Sequence, residues 1–102
     1  MRLFGHDVLT NAVRRHPDAR MWLDRWIGIV ADAEWQSIND VRLDYPTADG
    51  VKLRSEVVVT IFDVRGNEYR LLTYLSYSAQ TVEALELMTH ADYDKGRWKQ
   101  RY

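Results

Sequence analysis

The stretch from Glu56 to Met88 reads EVVVTIFDVRGNEYRLLTYLSYSAQTVEALELM. Three runs of branched and aromatic residues alternate there with two turn signals. Glu56–Asp63 (EVVVTIFD) carries the β-branched residues that fit a pleated, half-buried surface. Arg65-Gly66-Asn67 is a turn, because Gly and Asn tolerate positive φ. Tyr69–Ser76 (YRLLTYLS) alternates with period two, so Tyr69, Leu71, Thr73 and Leu75 share one face and Arg70, Leu72 and Tyr74 the other. Ser78-Ala79-Gln80 supplies a second turn, and Thr81–Met88 a third strand. Short turns between consecutive strands predict an antiparallel meander.

Upstream of residue 56 the hydrophobic period changes to that of helices. Val8, Leu9, Ala12, Val13 and His16 fall on one face, with Asp7 as the expected N-cap. Pro17 ends that helix and suits the first position of the next. Ala19, Trp22, Leu23, Trp26, Ile27 and Val30 form a stronger stripe, opposed by Asp18, Arg20, Asp24, Arg25 and Asp32. The Trp22/Trp26 pair reads as structural. Ser37-Ile38-Asn39-Asp40 is a variant capping box, opening a short helix stopped by Pro46. Thr47–Arg54, with Gly50, reads as a connecting loop. Downstream, Thr89-x-x-Asp92 caps a short helix broken at Gly96, and Met1–Phe4 adds a further strand. Helices followed by a meander predict an α+β fold, with the N-terminal helices packed on one face of a small antiparallel sheet.

Composition excludes several classes. The chain has 102 residues, a length that suits a single domain (1–102). Its 46% hydrophobic and 12% aromatic content is too high for disorder. No apolar run approaches the ~20 residues of a membrane helix, and no apolar h-region follows Met1, so no membrane partner is expected and the cytoplasm is the predicted compartment. Without cysteine there is no disulfide framework and no thiolate nucleophile. GxxxxGK[ST], GxGxxG and GxSxG are all absent, and His6, His16 and His90 are too far apart in sequence to suggest a metal or any other cofactor. The net charge of −1 gives no bulk grip on nucleic acid. The exception is the tail, where Lys95, Arg97, Lys99 and Arg101 come without an acid, alongside Trp98 and Tyr102.

Chemistry concentrates where the third strand ends. With Thr89 as N-cap, His90 opens the helix, Tyr93 lies three residues on, and Asp94 at i+4 can orient the imidazole. Arg70 sits on the neighbouring strand and Arg65 at the hairpin tip. That set suits metal-free cleavage of RNA, which carries its own nucleophile, the 2′-hydroxyl. Histidine gives or takes a proton near neutrality, arginine offers a planar fork to a phosphate, and tyrosine stacks on a base or donates a hydrogen bond. Bland readings apply to the same residues: His90 as a surface or capping residue, Tyr93 as core, Arg70 as partner of a cross-strand acid such as Glu83 or Glu86, and the tail as a solvated end.

The blocks Gly66-Asn67-Glu68-Tyr69-Arg70-Leu71-Leu72 and Met88-Thr89-His90-Ala91-Asp92-Tyr93-Asp94-Lys95 resemble HigB-type toxins of bacterial toxin–antitoxin systems, in the RelE/ParE-like superfamily. His16-Pro17-Asp18-Ala19, Trp35 and Tyr45-Pro46-Thr47-Ala48-Asp49 extend the resemblance over nearly the whole chain. It implies an mRNA interferase that cleaves messenger RNA in the ribosomal A site without metal, with a cognate HigA-like helix-turn-helix antitoxin. Carried onto this chain, Arg70, His90 and Tyr93 are the catalytic positions, and Arg65, Lys95, Arg97 and Lys99 bind RNA. The third strand departs from that pattern at Leu85, where relatives often carry an arginine, and it adds Glu83 and Glu86. The competing reading is a non-catalytic binding module, or a gyrase-type inhibitor, on the same fold.

Overall fold

A computed structural model describes residues 1–102. The elements run β1 (Arg2–Phe4), α1 (His6–Arg15), a 3₁₀ turn (Pro17–Ala19), α2 (Arg20–Asp32), α3 (Ile38–Asp44), β2 (Asp49–Lys52), β3 (Val58–Val64), β4 (Tyr69–Ser76), β5 (Thr81–Thr89), α4 (His90–Lys95) and a second 3₁₀ turn (Arg97–Gln100). The fold is α+β, and β3, β4 and β5 form the expected antiparallel meander.

The sheet is larger than the meander and is not purely antiparallel. Its order is β1-β5-β4-β3-β2, and β1 runs parallel to β5. β2 falls inside the stretch read as a loop. Asp49 and Gly50 are poor strand formers, so pairing with Ile61 and Thr60 of β3 makes this strand, not local preference. Positive φ at the first hairpin falls on Arg65 (52°) and Gly66 (65°), not on Asn67. Between Leu72 and Thr73 the register slips: Leu72 pairs with Glu86 and Thr73 with Ala84, leaving Leu85 as the extra residue of a bulge.

Two apolar clusters lie on opposite faces of the sheet, as the alternation in β4 requires. On one face Leu9, Ala12, Leu23, Trp26 and Val30 of the helices cover Phe62, Val64, Leu71, Val82 and Leu87. Trp26 meets Phe62 edge-on at 5.5 Å, and Trp22 contacts Tyr45 at 5.6 Å, so both tryptophans are structural. On the other face Leu53, Val59, Ile61, Leu72 and Met88 surround Trp98, which is 1% exposed. The last segment is therefore a docked third layer and not a solvated tail.

Local caps follow the sequence in part. The Thr89 side chain accepts from Asp92 N at 3.2 Å, and Gly96 at φ 72° ends α4. In α3 the Ser37 side chain makes no cap bond, while Asp40 accepts from Gln36 N at 2.8 Å, one residue outside the usual box. Asp7 is not the cap of α1. Gly5 is, at φ 88°, because the chain turns there directly against β5. A Cβ on Gly5 would lie 2.5 Å from the Ala84 carbonyl oxygen. Gly5→Ala combines that backbone clash with a left-handed φ and is expected to lower unfolding stability by about 1–3 kcal/mol. A urea midpoint unchanged from wild type would show that β1 can enter α1 by another route.

Candidate active site

β4 turns Arg70 onto the sheet face away from the helices, at the end where α4 begins. Arg70 is 7% exposed, and a buried guanidinium is tolerated only when paired. Its Nε lies 3.0 Å from Asp63 Oδ1 in an ion pair, while Nη1 donates to the Tyr69 carbonyl at 3.1 Å and Nη2 to Asn67 Oδ1 at 2.9 Å. The cross-strand acid is thus Asp63, directly opposite in register, and neither Glu83 nor Glu86. Each terminal nitrogen makes one hydrogen bond, so one N–H on each is uncommitted.

Tyr93 faces this guanidinium, with the Arg70 Cζ 5.7 Å from its ring centroid. Trp98 stacks on Tyr93 at 5.3 Å and 15°, and its Nε1 donates to the Tyr93 carbonyl at 3.2 Å. Burial, reinforced by the Asp49 carboxylate and opposed by Arg70, pushes the Tyr93 phenol above its ordinary pKa. The phenol therefore stays protonated at neutral pH as a donor.

His90 occupies the first turn of the same helix. Its Nε2 lies 3.1 Å from Asp94 Oδ2. Nδ1 is shut from solvent without a hydrogen-bond partner. His90 lines an open cleft of about 550 Å³ with His16, Arg65, Asn67 and Glu68. Asn67 is the shared wall, lining the cleft while accepting from Arg70. No hydrogen bond joins His90 to Arg70 directly.

Arg65 is committed to structure in this state. Its Nη1 lies 2.6 Å from Asp18 Oδ2, and Tyr69 Oη donates to Asp18 Oδ1 at 2.7 Å. The Tyr69 hydrogen bond, aided by Arg65, holds the Asp18 carboxyl below the usual range. The other basic residues surround the Tyr93–Trp98 stack from two sides. Lys95 and Arg97 line a cleft with Glu86 and Arg101, while Lys99 lines a separate one and places Nζ 5.8 Å from the Trp98 ring centroid. The seven residues singled out in the sequence fall into three groups: Arg70 with Tyr93, Arg65 with His90, and the cations of residues 95–99.

Comparison with known proteins gives this arrangement a family. Residues 19–96 match the family model of the HigB toxin, described as the RelE-like toxic component of a toxin–antitoxin system. The chain belongs to the HigB toxin family. It is 22% identical over 95 residues to the mRNA interferase HigB of Escherichia coli O6:H1 (strain CFT073), covering 93% of this chain and 90% of that protein. It is 26% identical over 94 residues to the mRNA interferase toxin HigB of Escherichia coli K12, covering 92% and 88%. The mRNA interferase HigB of Shigella flexneri matches to the same extent. The protein is accordingly a toxin of a toxin–antitoxin system, and an antitoxin partner follows from the family.

Four residues take roles at this HigB site that the sequence did not assign them. Asp63 and Asn67 hold Arg70, and His16 walls the cleft with its ring 4.7 Å from that of Tyr69. Counting back across the hairpin from Arg70 would have found Asp63. Glu86 is the fourth. It accepts from Arg101 Nε and Nη2 at 2.7–3.1 Å and from Tyr102 Oη at 2.7 Å. The acid that β5 adds to this face is thereby neutralised, and it anchors the segment carrying Trp98 beneath Tyr93. Burial, then the bond to Glu86, pushes Tyr102 up to about 12. A raised phenol pKa favours the folded state fully below the unfolded value near 10, and that contribution is lost as pH rises from about 10 to about 12. Glu86→Ala should therefore let one phenol ionise earlier, read as added absorbance at 295 nm between pH 10 and 12. An unshifted titration would show that Glu86 does not hold Tyr102.

Proposed function

We propose that this HigB-family toxin is a ribosome-dependent mRNA interferase, cleaving messenger RNA in the ribosomal A site without a metal. Residues 1–102 act as one toxin domain in the cytoplasm, and a HigA-like helix-turn-helix antitoxin neutralises it. The observation that carries the reading is Arg70, a pre-paired guanidinium with two free N–H groups beside Tyr93, on the rim where His90 opens α4. The names of the relatives support the same activity.

The reaction asks little of the protein beyond charge and proton handling. The 2′-oxygen attacks the adjacent phosphorus, and the P–O5′ bond breaks. The 2′-hydroxyl proton leaves with a base and a proton is delivered to the departing 5′-oxygen, giving a 2′,3′-cyclic phosphate and a 5′-hydroxyl. The two free N–H groups of Arg70 take the phosphate oxygens as charge builds on them. His90 exchanges the proton, its ring oriented by Asp94. Tyr93 supports the nucleotide by stacking or by its phenol hydrogen bond. Lys95, Arg97 and Lys99 hold the backbone on either side, and Arg65 joins them when RNA competes with Asp18.

His90→Ala is expected to lower cleavage by about 10²–10⁴-fold, the usual worth of acid–base catalysis, and Arg70→Ala by about 10²–10³-fold. Both variants should relieve growth arrest while retaining wild-type circular dichroism. Arg70→Lys should not restore activity, because an ammonium lacks the fork. Primer extension on wild-type reactions should show new message ends only with ribosomes present. Full toxicity in both alanine variants would remove the assignment. Intact messages with induced DNA damage would instead indicate a gyrase-type inhibitor.

A further inference from the structure

A cleft of about 670 Å³ includes Lys99 alone among the candidate catalytic and RNA-binding residues. It forms between the β2–β3 connection and the last segment, and its polar wall is Lys52, Arg54, Ser55, Lys99, Gln100 and Tyr102. Three cations line it and no Asp or Glu side chain does. Lys52 reaches out of the cleft to Glu56 Oε2 at 2.7 Å, an exposed pair of little strength. Arg54 and Lys99 form no ion pair with any carboxylate.

The two walls are tied together. Ser55 Oγ donates to the Tyr102 carbonyl at 2.9 Å, and Leu53 is buried in the apolar cluster around Trp98. The connection itself is folded by Leu53 N to the Val57 carbonyl at 2.8 Å and Glu56 N to the Leu53 carbonyl at 3.0 Å. Arg54 is thus presented from a fixed loop. Side-chain contacts under 6 Å link Lys99 of this cleft to Arg70 through Trp98 and Tyr93.

We propose that this cleft is a second phosphate site, in which Arg54 and Lys99, with Lys52 beside them, hold the RNA backbone away from the cleaved bond. The inference rests on the interferase reading and adds to it the β2–β3 connection as a binding element. A near-neutral chain that acts on RNA needs local cations free of acids, because phosphate contacts dominate affinity for nucleic acid. Arg54 and Lys99 meet that need. The phosphates belong either to the message or to ribosomal RNA.

The test uses the full chain and measures affinity against salt in two arms. One arm uses a short single-stranded RNA with 2′-O-methyl groups, which cannot attack itself; the other uses ribosomes programmed with message. Each phosphate contact on a single strand contributes about −0.7 to the slope of log K against log salt. Arg54→Gln and Lys99→Gln should each flatten the slope by about 0.7 and weaken binding severalfold, whereas Arg54→Lys should keep the wild-type slope. Arg25→Gln, an exposed arginine on the helix layer, is the control expected to change nothing. Flattening in both arms assigns the contact to the message, and flattening on ribosomes alone assigns it to ribosomal RNA. Slopes unchanged in both arms overturn the proposal. The interferase reading still stands in that case if the wild type cleaves and His90→Ala does not. A wild type that neither binds nor cleaves RNA in either arm overturns both.

Discussion

A guanidinium almost removed from water at one end of a sheet constrains everything around it. Burying an unpaired charge costs several kcal/mol, so Arg70 can exist only with partners in place. Those partners come from three points of one hairpin: Asp63 on β3, Asn67 in the turn, and the Tyr69 carbonyl on β4. A one-residue slip would turn Arg70 toward Trp26 and Phe62 and Leu71 toward the candidate active site, because side chains alternate faces. The register of the hairpin and the integrity of the site are therefore one condition. The charge and its orienting acid are both built into the sheet.

The distribution of pairs explains how a chain of net charge −1 can present a basic rim. Four carboxylates near this end are engaged, Asp63 with Arg70, Glu86 with Arg101, Asp92 with Lys95, and Asp94 with His90, while Glu68 on the wall of the His90 cleft forms no ion pair. Arg97 and Lys99 of the last segment, and Arg54 on the β2–β3 connection, have no ion pair. Exposed pairs such as Asp92–Lys95 are worth little and exchange readily for a phosphate, whereas Asp63–Arg70 is half-sheltered and stays. Formal charge summed over the chain misses this, because binding responds to local potential.

The meander was legible because its signals are local. Branched residues, period-two alternation and two turns place β3, β4 and β5 within a residue or two of their observed ends. The amphipathic stripes did the same for α1 and α2, and Thr89 and Gly96 marked both ends of α4. What escaped was non-local. β2 is made by pairing with β3 across a segment containing Gly50, and the cap of α1 is set by the Ala84 carbonyl of β5, nearly 80 residues from Gly5. At the site, the side chains to watch could be read from residue type and spacing, but not their partners. Asp63, Asn67 and His16 acquire meaning only when three segments meet, and Glu86 changed from an apparent liability on β5 to an anchor once Arg101 and Tyr102 folded over it.

The second layer over the sheet also decides how firmly the chemistry is held. α4 has only six residues, well under the length at which a helix is stable alone. Its orientation comes from the Thr89 cap at one end and from Trp98 at the other, stacked on Tyr93 and plugged into Leu53, Val59, Ile61, Leu72 and Met88. His90, Tyr93 and Lys95 thus inherit their positions from an apolar cluster that touches no substrate. Misplacing a reacting group by about 1 Å can cost on the order of 10²-fold in rate, so loosening this cluster should act on turnover before it acts on global stability. The larger core under α1 and α2 keeps the sheet folded, while the smaller one around Trp98 keeps the rim in register with Arg70.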